Sequence, residues 1–429
     1  MRNQHILKLF SYISYMKIKV IFLSFLSSLT FLFSNSKKPL EKNPFIKTVI
    51  FSGGSFNSQF PIIKMNQKLF LSFDDVSGEE NFYYYNIIHC DFDWNASKLL
   101  KSEYLDGNDN NMIEDIKSSY GTLQRYTNYE LSLPNNDVSF KISGNYILEI
   151  FDSDDNIILN RRFLILDEKV SINLNIYPSQ NKNRFYTHQN VQFIINTINY
   201  KIRNPNTDIK VTLLQNDQWD NSKKIFKPQF IEKDRLIYRY DEESEFEGGN
   251  EYLFFDTKDL RSTNQNISFV RKENVYQHFL FTDNPRSNLN YSNYSDLNGN
   301  FVTATTQGEN PNYESDYSIV YFSLARQFEI DSSKIYVYGK FNNYDLTDAN
   351  EMIYNPSLET FEGILLLKQG FYNYKYIIKM NNEISKNKIS GSFYQTENSY
   401  TVLVYKKGFE DLYDNLIGVG RMNSFELKY

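Results

Sequence analysis

Cysteine is almost absent from this sequence. Cys90 stands alone among 429 residues, so neither an intrachain disulfide nor a thiolate metal cluster can form within one chain. Histidine is nearly as scarce: His5, His89, His188 and His278 lie far apart, with no nucleophile motif beside any of them. Gly-x-Ser-x-Gly, a phosphate-cradling glycine loop followed by Lys, and His-Glu-x-x-His do not occur. No carboxylate pair stands out as an acid–base couple. These absences point away from an enzyme and leave no residue to which catalysis, a metal or a cofactor can be assigned.

Charge of one sign is lacking too. Lys and Arg number 46 against 52 Asp and Glu, a net charge of -6 spread along the chain. Such a balance does not argue for nucleic acid or a polyanionic surface as partner. Long hydrophobic runs are limited to residues 20–33, which follow Met16-Lys17-Ile18-Lys19. A basic start and a short apolar run have the layout of a secretory signal, and the run is short for a membrane span. Residues 1–37 are therefore expected to be a signal segment, with Met16 as its start. No cysteine follows the run to accept a lipid, so the exported chain is expected to be soluble, without direct membrane insertion.

Aromatic residues, by contrast, are abundant: 34 Tyr and 35 Phe account for most of a 17% aromatic fraction. Rings and β-branched side chains suit pleated, half-buried surfaces, so the composition leans to all-β. An AT-rich genome is a competing source of the many Asn and Lys. From residue 45 onward apolar positions recur with period two, punctuated by Asn, Asp, Gly and Ser. Over 81–94 the alternation puts Phe82, Tyr84, Ile88, Cys90, Phe92 and Trp94 on one face. Asn81, Tyr83, Tyr85, His89, Asp91 and Asp93 fall on the other, read as the wetter side. A hairpin is expected at 143–166, turning at Asp152 to Asn156. A short helix or structured loop is expected within 112–129.

Breaks in the pattern near Asp167 and between Asp283 and Asn300 divide the chain. The expected modules are an N-terminal sandwich at 40–167, a second at 168–295, a third at 296–407 and a tail at 408–429. Strands at roughly ten-residue spacing favour sandwiches over folds that alternate strands with helices. The expected fold class is three consecutive β-sandwich domains, immunoglobulin-like or early-set, after the signal.

Two patterns imitate metal sites. His89, Asp91 and Asp93 alternate along a strand and have donors suited to a divalent ion, but a polar sheet face gives the same spacing. Asp152-x-Asp154-x-Asn156 imitates the start of a calcium loop, yet lacks the Gly at the sixth position and has Phe163 where a bidentate Glu belongs. A hairpin turn accounts for it better. Cys90 reads as an inert core residue.

Gly339-Lys340-Phe341-Asn342-Asn343-Tyr344, with Gly370-Phe371-Tyr372-Asn373-Tyr374-Lys375-Tyr376, resembles the glycogen-binding early-set modules. In those a strand ends in Gly-x-Phe-Asn-x-Trp and a later hairpin carries Gly-x-x-x-Tyr-Lys-Phe. The alternation puts Tyr372, Tyr374, Tyr376 and Ile378 on one face and Lys375 on the other. The resemblance implies vestigial glucan-site positions at Tyr344, Lys375 and Asn398. Both indole platforms are missing, since Tyr344 replaces one and Glu383-Ile384 stands near the other.

Over 45–420 the chain resembles the plug protein family of the type IX secretion system of Bacteroidota. The resemblance rests on Phe60-Pro61-Ile62-Ile63, Leu71-Ser72-Phe73-Asp74-Asp75, Ile88-His89-Cys90-Asp91-Phe92-Asp93-Trp94 and Ser102-Glu103-Tyr104-Leu105-Asp106-Gly107. It continues through Ser143-Gly144-Asn145-Tyr146, Lys227-Pro228-Gln229-Phe230, Gly248-Gly249-Asn250-Glu251 and Ile417-Gly418-Val419-Gly420. It implies a non-enzymatic periplasmic protein that occludes the periplasmic mouth of a large outer-membrane β-barrel translocon by reversible binding. The family has no catalytic residues to carry over. The candidate interface is the loop 103–111, with Tyr104, Asp106, Gly107 and Asn108; an ordinary capped loop is the competing reading. The alternative function is a carbohydrate-binding cell-envelope protein using the third module.

Overall fold

The computed structural model describes residues 40–41, 43–54, 59–326, 333–381 and 383–426; the expected signal segment lies outside them. Among these residues the fold is all-β, and the few helices are single turns. No described helix is long and apolar enough to cross a membrane.

The first module is a sandwich. One sheet orders Leu40–Glu41, Ile157–Leu166, Gly144–Phe151, Tyr84–Cys90 and Asn111–Met112; the other orders Ile46–Gly53, Leu69–Asp75, Thr127–Leu133 and Asp115–Ser118. Alternation in Leu69-x-Leu71-x-Phe73 aims three apolar side chains at the facing sheet. There Phe73 stacks on Tyr129 with centroids 5.1 Å apart, and Tyr83 meets Tyr129 edge-on at 4.8 Å. Such pairs contribute about 0.5–1.5 kcal/mol each beyond their buried area. A tyrosine core also needs acceptors for its hydroxyls: Tyr129 donates to the Asn81 carbonyl and Tyr83 to Asp75, both at 2.7 Å.

The hairpin Gly144–Phe151 with Ile157–Leu166 forms as the sequence predicts. Asp152 Oδ1 closes its turn by accepting from the backbone N–H groups of Asp154 and Asn156 at 2.9 Å. The stretch 112–129 holds no helix; it contains Asp115–Ser118, paired to the start of Thr127–Leu133.

The second module packs two sheets as well. The first orders Ser171–Pro178, His188–Asn196, Arg235–Tyr238 and Phe230–Glu232. The second orders Lys223–Ile225, Ile209–Gln215, Ser399–Lys406 and Asn415–Asn423. Half of that second sheet thus comes from the C-terminal end of the chain. Val402, Val404 and Ile417 share one core with Val191, Phe193 and Val211.

The third module is inserted between the halves of the second, in a sheet that runs Leu253–Asp256, Gly370–Met380, Ser333–Tyr338, Glu351–Asn355, Thr360–Lys368, Tyr317–Ala325, Tyr276–Leu280 and Ile267–Lys272. It folds over at Glu351–Asn355, whose first two residues pair with Ser333–Tyr338 and whose last three pair with Thr360–Lys368. Tyr372, Tyr374, Tyr376 and Ile378 face its core with Phe255 and Phe322, as the alternation predicts.

The boundaries drawn at 295, 407 and 408 therefore change. Residues 253–280 pair within the third module, while 399–406 pair with Ile209–Gln215 and 415–423 form a strand rather than a tail. Period-two alternation says which face of a strand is buried, but not which strand lies beside it.

Candidate functional site

The loop that the sequence offers as an interface is built by a helical turn, Lys101–Tyr104, and a short strand, Leu105–Gly107, paired antiparallel with Val138–Phe140. Glu103 Oε2 accepts from the Leu100 N–H and fixes the turn. Tyr104 points inward: it is 8% exposed, its hydroxyl donates to the Ile87 carbonyl at 3.3 Å, and its ring lies 5.6 Å from His89. It is a core residue, not a contact residue, because the turn ends with that side chain over the first sheet. Asp106, Gly107 and Asn108 are exposed. Gly107 has φ +137, and a Cβ there would sit 2.2 Å from the Asp137 carbonyl oxygen. Its role is local, the close approach of two strands. Leu100 and Met112 flank the loop as exposed apolar residues. Met112 also borders a groove of about 410 Å³ lined by Glu114, Asp115, Glu130 and Asp137.

The three glucan-like positions separate. Tyr344 follows the short 3-10 turn Lys340–Asn342 with φ 59, packs its ring 5.1 Å from Tyr338 and donates to the Asn298 carbonyl at 3.3 Å. It is no open platform. Lys375 and Asn398 do meet, in a cleft of about 570 Å³ between the second and third modules, with Asp220, Glu247, Lys386 and Asn387. Lys375 Nζ lies 4.9 Å above the Tyr252 ring. Burial, reinforced by Lys386, pushes its ammonium down to about 7. Asn398 is occupied: its Nδ2 donates to Gln189 Oε1 at 3.0 Å and to the Gly248 carbonyl at 2.8 Å, and its Oδ1 accepts from Asn216 at 2.8 Å.

His89 is 1% exposed beside Tyr146 and Tyr413, and burial lowers its imidazole to about 4. Asp91 accepts from the N–H groups of Asp93 and Asn95 at 2.9 Å, while Asp93 reaches Lys224 across the module boundary. The three do not line one polar face. Tyr83, Tyr85 and Ile87 line the sandwich core, while Cys90, Phe92 and Trp94 enter a second apolar cluster against the second module. Both faces of 81–94 are thus used, which the reading of one wet face missed.

That second cluster is one of the seams joining the modules. Trp94 and Trp219 meet edge-on at 4.9 Å, and the Arg162 guanidinium lies 4.5 Å over Trp94. Asp414 accepts from the Phe92 N–H at 3.1 Å and from Lys210 at 2.9 Å. A different seam, between the first and third modules, holds the ion pair Asp74–Lys368 at 2.7 Å. Tyr317 donates to Asp74 Oδ2 at 2.6 Å, Asn128 donates to Oδ1 at 2.8 Å, and Lys368 also donates to the Asn312 carbonyl at 2.6 Å. Burial raises the Asp74 carboxyl and lowers the Lys368 ammonium, each partly offset by the other's charge. Sequence reasoning gave these two no role. The available signal was a charge directly after an apolar stretch: Asp74 after the alternating Leu71-Ser72-Phe73, Lys368 after the continuous run Leu365-Leu366-Leu367.

Surface loops, one acidic groove, one mixed-charge cleft and three modules joined by buried seams define an all-β protein made of packed sandwiches. Residues 46–167 match the family described as type 9 secretion system plug protein 1st domain. The chain belongs to this plug protein family of the type IX secretion system. A crystal structure of a hypothetical protein from Parabacteroides merdae ATCC 43184 is similar at 31% identity and TM-score 0.85, over 90% of this chain and 98% of that one. The BSP domain of a biofilm associated protein aligns at 8% identity over 91% of this chain and 61% of its own, with a TM-score of 0.19 that carries no argument. No curated protein matches the chain.

Proposed function

We propose that this chain is a removable, non-enzymatic plug that closes the periplasmic opening of the type IX outer-membrane translocon. The family membership carries the reading. A pore wide enough for folded cargo leaks unless a soluble body covers it, and a stopper must not deform under load. The Asp74–Lys368 and Trp94–Trp219 seams suit that demand, because a module cannot swing away without exposing a buried charge or an apolar cluster. Chemistry has little to work with: His89 and His278 sit in cores, each lowered by burial to about 4. The plug acts in the periplasm and is held at the outer membrane by its partner.

The contact face of the plug is the N-terminal loop with Asp106, Gly107 and Asn108, together with exposed Met112 and its acidic groove. Carbohydrate binding by the third module has less support, since Tyr344 is packed and the Asn398 side chain is already hydrogen-bonded. The test is affinity purification of a tagged chain from its native envelope, followed by mass spectrometry. Recovery of the giant barrel, with uptake of a normally excluded solute on deletion of this chain, supports the plug. A deletion strain without a leak and without a co-purifying barrel refutes it.

A further inference from the structure

Glu251, Asp296 and Glu397 come from three separate loops and bring one carboxylate oxygen each within 4.8 Å of one another. Glu251 follows Gly248-Gly249-Asn250, where the chain crosses into the third module, and Glu397 precedes Asn398, where it crosses back. Asp296 belongs to the loop between Tyr276–Leu280 and Phe301–Thr303.

Each carboxylate is held in place by neutral donors. Glu251 Oε1 accepts from Tyr291 at 2.5 Å and from the Glu397 N–H at 3.1 Å. Asp296 accepts from the N–H groups of Tyr252 at 2.5 Å and Asn298 at 2.7 Å. Glu397 accepts from Asn298 Nδ2 at 2.7 Å and from Asn423. Arg286 spends its hydrogen bonds elsewhere: it donates to the Glu251 backbone carbonyl and to the Tyr294 hydroxyl, both at 2.7 Å.

A second observation separates this group from an ordinary acidic patch. Glu251 is 1% exposed, yet its Oε2 receives no hydrogen bond. A buried oxygen with free lone pairs is costly unless a positive centre faces it. Burial, with Asp296 and Glu397 alongside, raises Glu251 to about 7 and raises the other two carboxyls as well. At Asp296 the positive charges of Lys375 and Arg286 oppose that rise without cancelling it.

We infer that Glu251, Asp296 and Glu397 form a binding site for a hard divalent cation, calcium, which ties the two chain crossings of the inserted module to the loop that carries Asp296. The donors are all oxygen, with no His or Cys, which suits calcium and not zinc. Oxygens that share a calcium ion at about 2.3–2.6 Å lie no more than about 5 Å apart, and this triad meets that limit. Three carboxylates around a doubly charged ion leave one net negative charge in place of three. The inference stands apart from the plug reading, since it concerns how the second and third modules are joined.

The test is terbium luminescence on the full chain, excited through tyrosine, with Tyr291 bonded to the site as the antenna. Saturable, one-to-one emission displaced by calcium is expected, with a calcium dissociation constant on the order of 0.1–1 mM. Glu251→Gln and Glu397→Gln should each weaken binding at least about tenfold, while Glu232→Gln at a remote exposed position leaves it unchanged. In chelator the Glu251→Gln protein should melt no lower than wild type, because a buried charge has been removed; added calcium should raise the wild-type midpoint alone. Should that variant not fold, calcium-dependent protection of wild type with little response to magnesium still reports the site. Emission that does not saturate, or that survives Glu251→Gln, overturns the inference, as does a wild-type midpoint indifferent to calcium.

Discussion

Asp74 of the first module and Lys368 of the third are joined by a 2.7 Å ion pair in which each side chain is 1% exposed, across 294 residues of sequence. Breaking one partner strands the other charge in a dry seam. Asp74→Asn or Lys368→Met alone should each destabilise the protein by about 3–5 kcal/mol. The double variant keeps an acceptor for Tyr317 and leaves no buried charge, so most of the loss should return. Urea denaturation of the three variants checks this; a double variant no better than the worse single one would show that the pair is not the seam's organising contact.

His89 gives a pH dependence of known sign. Burial lowers its folded pKa from 6.5 to about 4, so between those values the unfolded chain binds the extra proton and stability falls as pH falls. Asp414 is the charge that opposes the shift. Glu251, raised to about 7, works the other way and gains stability as pH falls from 7 to 4.5. The comparison is therefore made against His89→Gln: between pH 7 and pH 4.5 wild type should lose about 2–3 kcal/mol more than the variant. Equal losses would mean that His89 is protonated as easily folded as unfolded.

Lys375 is a second base with a lowered pKa, and its pH dependence has the same sign in a higher window. It is 7% exposed and its ammonium is pushed from 10.5 to about 7, so stability rises as pH climbs through that window. Lys375→Met should stabilise the protein at pH 7 by up to about 4 kcal/mol, with the gain shrinking to about 1 kcal/mol at pH 10. Thermal melts at both pH values decide it. A destabilised variant at pH 7 would mean that the lysine is held by contacts stronger than its burial cost.

The N-terminal loop can be tested without disturbing the fold. Asp106→Lys with Asn108→Lys changes exposed side chains only, so stability should stay within about 0.5 kcal/mol of wild type. Recovery of the barrel with the tagged chain should fall sharply, while Glu232→Lys, a charge reversal at another exposed position, leaves it intact. Undiminished recovery would move the contact face elsewhere on the molecule.

Much of this was written in the sequence at short range. The all-β class, the Asp152 turn and the shared face of Tyr372, Tyr374, Tyr376 and Ile378 depend on residues within one hairpin of each other, and alternation and turn chemistry report such relations directly. The ordered stretches from Phe60 to Gly420 gave the family for the same reason: they are strings of neighbours. Of the candidate site, Asp106, Gly107 and Asn108 were legible as an exposed loop, but Tyr104 was not separable from them until the end of its helical turn was seen to point inward.

Tertiary structure alone decided the rest. A strand with period two carries a buried face whoever its partner is, so Ser399–Lys406 gave no sign that it would lie beside Ile209–Gln215 and enclose a whole module. Likewise 81–94 could not announce that both its faces would be covered, one by its own sandwich and one by Trp219 and Tyr405 of the next module. Charges follow the same rule. Asp74 with Lys368, and Glu251 with Glu397 at a separation of 146 residues, owe their protonation behaviour to the loss of water at seams that exist only once the modules have packed.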